Sequence, residues 1–290
     1  DMRLYCKDML LTSVETLTSL INTLIHFAQK YEFVPMPGYT HMQRAMPSTI
    51  GLWAGSFVEE LLDNLILFDA VYEINDMNPL GSGAGYGVSI PVDRELVTEL
   101  LGFSRIQMNS LYCQNSRGRI EQKIAFWLTD TARVFNKIAS DLLLFTTQEF
   151  ALFKATDKIT TGSSIMPQKR NLDVMELIRG KYSKFGGILN ELMLLTSSLP
   201  SGYNRDLQET KKPVISAFSL FIEMCKVIEF SFSEIEPIKE NMKKAMSPDI
   251  FAADEAYRLV LNERIPFRDA YKKVGDNLDK LNQLDAEVIV

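Results

Sequence analysis

Three polar stretches that interrupt an otherwise helical pattern hold the residues able to do acid–base chemistry. In the first, Pro37-Gly38-Tyr39-Thr40-His41-Met42-Gln43-Arg44-Ala45-Met46-Pro47, an imidazole sits among a glycine, two prolines and several hydrogen-bonding side chains. Histidine titrates near neutral pH and can give or take a proton. The same residue could instead be an imidazole held by loop backbone groups. The second stretch is Thr160-Thr161-Gly162-Ser163-Ser164-Ile165-Met166-Pro167-Gln168-Lys169-Arg170-Asn171. Its hydroxyls and backbone N–H groups suit an anion, with charge from Lys169 and Arg170. A helix N-terminus following directly would also favour negative charge. Helix capping would explain one hydroxyl but not four. The glycine–lysine spacing is not that of a P-loop. In the third stretch, Gly202 to Lys212, the side chains of Tyr203, Gln208 and Lys211 could hydrogen-bond a polar ligand, or the segment could be only a solvated helix–helix connection. A fourth, Pro79-Leu80-Gly81-Ser82-Gly83-Ala84-Gly85-Tyr86-Gly87, shows no strand ahead of it, so it reads as a close-approach turn rather than a dinucleotide loop.

Little else in the chain offers chemistry. His26, the second of two histidines, lies within a regular helical pattern and reads as structural. Cys6, Cys113 and Cys225 are odd in number and far apart, which fits neither a disulfide framework nor a zinc site. These features predict a reduced, cytoplasmic protein with no metal. The net charge of −6 argues against nonspecific nucleic-acid binding, which needs clustered Lys and Arg. No apolar run reaches the ~18 residues of a membrane span. The chain opens at Asp1 within a helical pattern and not at a Met, so it reads as part of a longer protein.

Helices must position these loops. Leu10, Val14, Leu17, Ile21, Leu24 and Ala28 step by the spacing of one helix face. Phe57, Leu61, Leu65, Phe68 and Tyr72 repeat it. Ile120, Ile124, Trp127, Thr131, Val134, Ile138, Leu142 and Phe145 carry it over about seven turns. Further helices are predicted over Asp173–Leu195 and Val214–Phe232, and prolines fall where the periodicity lapses. The expected fold is all-α: an elongated central helical bundle over 1–236. A small helical C-terminal domain over 237–290 is expected to follow, with helices near Pro248–Asn262 and Phe267–Leu281. Runs such as Leu65-Ile66-Leu67-Phe68 and Leu142-Leu143-Leu144-Phe145 are apolar on more than one side, which predicts burial against other subunits.

In their order and wording these loops resemble the fumarase/aspartase superfamily, and within it the argininosuccinate lyases. Gly162 to Asn171 matches the pattern G-S-S-x-M-P-x-K-x-N, the most specific of the matches. Thr40 to Pro47 matches T-H-x-Q-R-A-x-P, and Tyr203 to Glu209 is similar to Y-N-x-D-L-Q-E. Pro79 to Ala84 and Ile265-Pro266-Phe267-Arg268-Asp269-Ala270 also fit, so the likeness spans most of the chain.

The resemblance implies a homotetramer with active sites shared between subunits and a helical bundle built from all four. It implies reversible cleavage of argininosuccinate to arginine and fumarate, without cofactor or metal, and a place in arginine biosynthesis. Carried over by motif, His41 and Ser163 are the acid/base pair. Thr40, Lys169, Asn171, Tyr203, Gln208 and Lys211 hold substrate. Ser163 is favoured as base and His41 as part of the acid, with the reverse assignment also open. Three departures stand out. The family's H-T-G-R-S-R-N-D-Q segment is absent, Leu172 replaces a proline, and Asn109 to Arg119 deviates from N-S-x-x-A-S-x-R-D. Sister lyases releasing fumarate from adenylosuccinate, aspartate or malate are competing readings. So is a non-catalytic relative of the lens-crystallin type.

Overall fold

A computed structural model describes residues 1–278 and Leu281. Five long helices dominate it: α1 (Met2–Lys30), α2 (Ile50–Asn75), and then, beyond two short helices α3 (Arg94–Leu100) and α4 (Ser110–Asn115), α5 (Arg119–Phe145), α6 (Asp173–Thr196) and α7 (Lys211–Ser233). At 1.5 Å per residue, the 27 residues of α5 span about 40 Å. Helix α5 packs against α2, α6 and α7, while α1 packs against α2 and α7. The fold is therefore the expected helical bundle.

The predicted face of α5 is the observed one: Ile120, Ile124, Trp127, Thr131, Val134, Ile138, Leu142 and Phe145 are all buried. On α1 the face is rotated slightly. Ser13, Leu20 and Phe27 join Leu10, Leu17, Ile21 and Leu24 in the core, while Val14 and Ala28 are half-buried beside it. The cause is that α1 meets α2 on one flank and α7 on the other, so its buried stripe is wider than one row.

Local chemistry fixes several helix starts. The Thr49 hydroxyl accepts from Leu52 N–H at 3.1 Å and starts α2. Asp93 and Asn109 do the same for α3 and α4, accepting from Leu96 and Tyr112 N–H at 2.9 and 2.8 Å. Helix α5 begins after Gly118, whose φ of 75° suits glycine.

Short two-stranded pairs tie the ends together. Strands β1 (Pro35–Thr40) and β2 (Gln43–Thr49) form an antiparallel hairpin between α1 and α2. The predicted loop is thus a hairpin, despite Pro37 and Pro47 facing each other across it. Strand β3 (Met77–Asn78) pairs in parallel with β4 (Arg105–Ile106). A two-residue strand therefore does precede the glycine-rich stretch, too short to be legible in the sequence. Strand β5 (Phe153–Ala155) pairs later in the chain with β8 (Ile235–Pro237), and β6 (Thr161–Gly162) pairs with β7 (Arg170–Asn171).

Beyond α7 the elements shorten: α8 (Lys239–Ala245), a 3-10 turn (Pro248–Phe251), α9 (Ala252–Glu263) and α10 (Phe267–Gly275). Helix α8 lies against β1, and Met242 joins the main core. Helices α9 and α10 pack on each other around Ala256, Leu259, Ala270 and Val274. Of the 237–290 segment, residues 279, 280 and 282–290 lie outside the described residues, as does part of the helix expected to run to Leu281.

Candidate functional site

The β1–β2 hairpin displays Thr40 and His41 at its tip. His41 and Met42 have φ of 51° and 64°, a tight turn built on left-handed conformations that most side chains avoid. The imidazole is exposed and has no hydrogen-bond partner among the described residues, so the loop does not use it as a brace. The hairpin rests on an aromatic cluster: Tyr39 lies 6.0 Å from Phe145 and 5.4 Å from Phe150, ring to ring. Arg44 Nη1 donates to Ala245 O at 3.1 Å, at the end of α8. His26 sits on the exposed side of α1.

The second loop is the mouth of the β6–β7 hairpin. Ser163 Oγ accepts hydrogen bonds from Ile165 N–H (3.3 Å) and Met166 N–H (3.1 Å). Both donors stabilise negative charge on that oxygen. Asn171 Nδ2 donates to Thr161 O at 3.2 Å and closes the hairpin base. Lys169 is exposed and makes no ion pair among the described residues. Arg170 differs from expectation: its Nε is 2.9 Å from Asp157 Oδ1, so its charge is already paired. None of the hydroxyls caps α6, whose N-cap is Leu172. Asp173 and Glu176 in the first turn already complement that helix's positive end, so it offers little to an outside anion. The loop hydroxyls are thus not explained by capping.

The third group lies at the other end of the bundle. Tyr203 precedes a 3-10 turn (Arg205–Gln208), and Lys211 opens α7. The turn is anchored by buried Leu207 and Thr210, so it is not a merely solvated connection. Gln208 is half-buried, while Tyr203 and Lys211 are exposed. Lys211 borders a cavity of about 570 Å³ that Gly81, Ser82, Arg117 and two groups not singled out by sequence, Arg3 and Glu121, also line. Burial lowers the Arg3 guanidinium and raises the Glu121 carboxyl from their ordinary values. Arg3 is held by Gln107 Oε1 and Ser116 Oγ, both at 3.0 Å. The anchoring of Arg3 carries no local sequence signal, because Arg3 and Gln107 are 104 positions apart. The glycine-rich stretch is the expected tight turn, with Gly85 and Gly87 N–H both donating to Ser82 O.

One chain cannot bring these groups into one pocket. Trp53 at the start of α2 meets Phe145 at the end of α5, while Gln122 near the start of α5 bonds Leu192 O near the end of α6. The His41 and Ser163 loops therefore share one end of the bundle, and Tyr203, Gln208 and Lys211 occupy the opposite end, a helix length away. Each cluster borders its own cavity. Thr160 and Thr161 line one with Asp173 and Phe230, whereas Met42 and Gln43 line another with Glu149 and Phe150. Among the described residues no three His, Cys, Asp or Glu side chains gather as a metal site would require. No helix among them is long and apolar enough to cross a membrane.

A family model described as lyase matches residues 1–187. The chain is 40% identical over 279 residues to an argininosuccinate lyase of Parabacteroides distasonis, covering 96% of this chain and 62% of that one. It is also 40% identical to an argininosuccinate lyase of Sorangium cellulosum, over 98% of this chain and 66% of that one. The chain thus spans about three fifths of the length of the curated relatives it matches. Among solved structures, an EDDS lyase in complex with formate superposes with a TM-score of 0.87 at 24% identity, over 94% of this chain and 54% of that one. At that identity the likeness shows the fold alone.

Proposed function

The chain belongs to the lyase family matched by its residues 1–187, the fumarase/aspartase group, and on that premise we propose that the protein containing it cleaves argininosuccinate reversibly to arginine and fumarate, in arginine biosynthesis. The observation that carries the substrate is the 40% identity to argininosuccinate lyases over 96% of the chain.

In this reading the base removes a proton from the carbon beside one substrate carboxylate. The electron pair spreads into that carboxylate and then forms the fumarate double bond as the carbon–nitrogen bond breaks. The leaving nitrogen takes a proton from the acid. Ser163 is the base: a free hydroxyl is too weak, but two N–H donors on Oγ favour its oxyanion, and Lys169 of the same loop supplies positive charge. His41, with no hydrogen-bond partner among the described residues, is part of the acid. Lys169 and Asn171 stabilise the carbanion's carboxylate, and Thr40, Tyr203, Gln208 and Lys211 hold the remainder of the substrate. No step requires a cofactor.

The assembly is a homotetramer in the cytoplasm, with each pocket built from several subunits. Two features support it: the candidate residues of one chain lie at opposite ends of its bundle, and apolar side chains such as Leu52, Ile66 and Leu194 stand uncovered on its long helices. The proposed division is a bundle domain over 1–236 and a small C-terminal unit over 237–290; the separate apolar cluster of α9 and α10 supports a second unit, while Met242 of α8 packs into the main core and sets the packing boundary beyond α8.

The test is a steady-state assay of the full-length protein, following fumarate absorbance, with argininosuccinate, adenylosuccinate, aspartate and malate in parallel. Turnover of argininosuccinate well above the others is expected. Preference for another substrate would move the protein to a sister activity, and a folded tetramer with no turnover would make it a non-catalytic relative.

A further inference from the structure

The segment Gln114–Arg117, at the junction of α4 and α5, lies where the sequence departs from the family pattern, and it touches two loops at the Tyr203 end of the bundle. Asn115 Oδ1 accepts from Gly202 N–H at 2.8 Å, and its Nδ2 donates to Ser201 Oγ at 3.3 Å. The Arg117 guanidinium lies 5.0 Å from the centre of the Tyr203 ring, within cation–π range. Gln114 Nε2 donates to Gly83 O at 3.3 Å, which ties the glycine-rich turn to the same segment. Gly202 has a φ of 116°, a conformation open to glycine, so the loop bends sharply where Asn115 grips it. Asn204 Nδ2 donates to Pro200 O and Gly202 O at 2.8 and 3.2 Å and closes the bend from within. Gly118 completes the seat. A methyl there would collide with Thr196 and approach Leu207 Cδ2 to 3.1 Å, so only glycine lets this loop pack on the start of α5.

Tyr203 itself is exposed and donates no hydrogen bond among the described residues. Its ring is therefore oriented from outside, by one backbone grip next to it and one cation over its face. We propose that Asn115 and Arg117 are positioning residues that clamp the Tyr203 loop in its substrate-binding arrangement; this rests on the reading that Tyr203 contacts substrate. Neither touches the reacting atoms. Their loss raises the entropy of the loop that must be ordered on binding, and so weakens substrate affinity more than it slows chemistry.

The experiment compares Asn115→Ala, Arg117→Ala, Asn115→Asp and Arg117→Lys in the full-length protein. Asn115→Asp keeps the acceptor for Gly202 N–H, and Arg117→Lys keeps a cation over the ring. Each alanine variant is expected to raise KM for argininosuccinate roughly five- to tenfold, with kcat within about twofold. Amide exchange of the 199–206 peptide, read by mass spectrometry, is expected to accelerate in both, with the thermal midpoint unchanged. The two conservative variants should recover most of KM and of the exchange protection. Unchanged exchange in the alanine variants would overturn the clamp, as would a fall in kcat and thermal midpoint together that the conservative variants do not rescue. If the wild-type protein fails to turn over argininosuccinate, the substrate assignment falls, and the exchange measurement still decides the clamp.

Discussion

Ser163 is the residue whose surroundings speak most directly to chemistry. Its oxygen accepts two backbone N–H bonds, and it stands in a loop where neighbouring Ser164 and Ile165 are exposed. An oxygen already solvated by fixed donors needs less reorganisation to carry charge. Ser163→Ala is expected to lower kcat by ~10²–10⁴ with KM changed only a few-fold, the signature of a lost general base. Ser164→Ala, next to it and without those donors, should stay close to wild type in kcat. Equal losses for both would move the base away from Ser163. The sequence made this loop legible because its pattern is contiguous. The turn geometry at His41 was not legible, since the left-handed turn continues through Met42, a residue type with no preference for positive φ.

Among the elements, α5 is the most legible: its whole periodic row from Ile120 to Phe145 is buried, inside a stripe that Ala125, Leu128, Ala132, Phe135 and Ala139 widen because three helices pack on it. The β1–β2 hairpin is not legible in the sequence, since prolines at 37 and 47 argue locally against strands and tertiary packing on α8 overrides them. Two substitutions test how α5 is held. Gly118→Ala places a methyl against Thr196 and Leu207 in a positive-φ site, and should destabilise by roughly 1–3 kcal/mol, read by denaturant unfolding. Asp141 is a different case. Burial raises its carboxyl above the ordinary value, against the Trp53 indole N–H at 2.9 Å and the Lys137 charge, which lower it. A carboxyl with a raised folded-state pKa binds its proton more tightly when folded. Its ionisation therefore costs stability, a cost that grows as pH rises through the unfolded value and is complete above the folded one. Asp141→Asn keeps an acceptor for Trp53 and removes the buried charge. It should raise the thermal midpoint at neutral pH, with the gain fading once both states are protonated, near pH 3 or about one unit below the ordinary value.

At the scale of the whole molecule, the helices were expected to be apolar on more than one side, and Ile66 at 73% exposure and Leu194 at 64% show faces that the single chain leaves open. Ile66→Glu should leave helix content intact and shift the assembly toward smaller species in sedimentation, with activity lost in parallel. What the sequence could not convey is the placement of the clusters: motif matching collects Ser163 and Lys211 into one list, while the fold puts them at opposite ends of helices about 40 Å long. A pocket containing both must draw them from different copies. The most direct measurement mixes two inactive full-length variants, Ser163→Ala and Lys211→Ala, lets their subunits exchange, and assays fumarate release. Sites that take Ser163 from one parent and Lys211 from the other regain both groups, so activity should rise toward about a quarter of wild type on random mixing. A mixture that exchanges subunits yet stays as inactive as its parents would contradict the shared pocket.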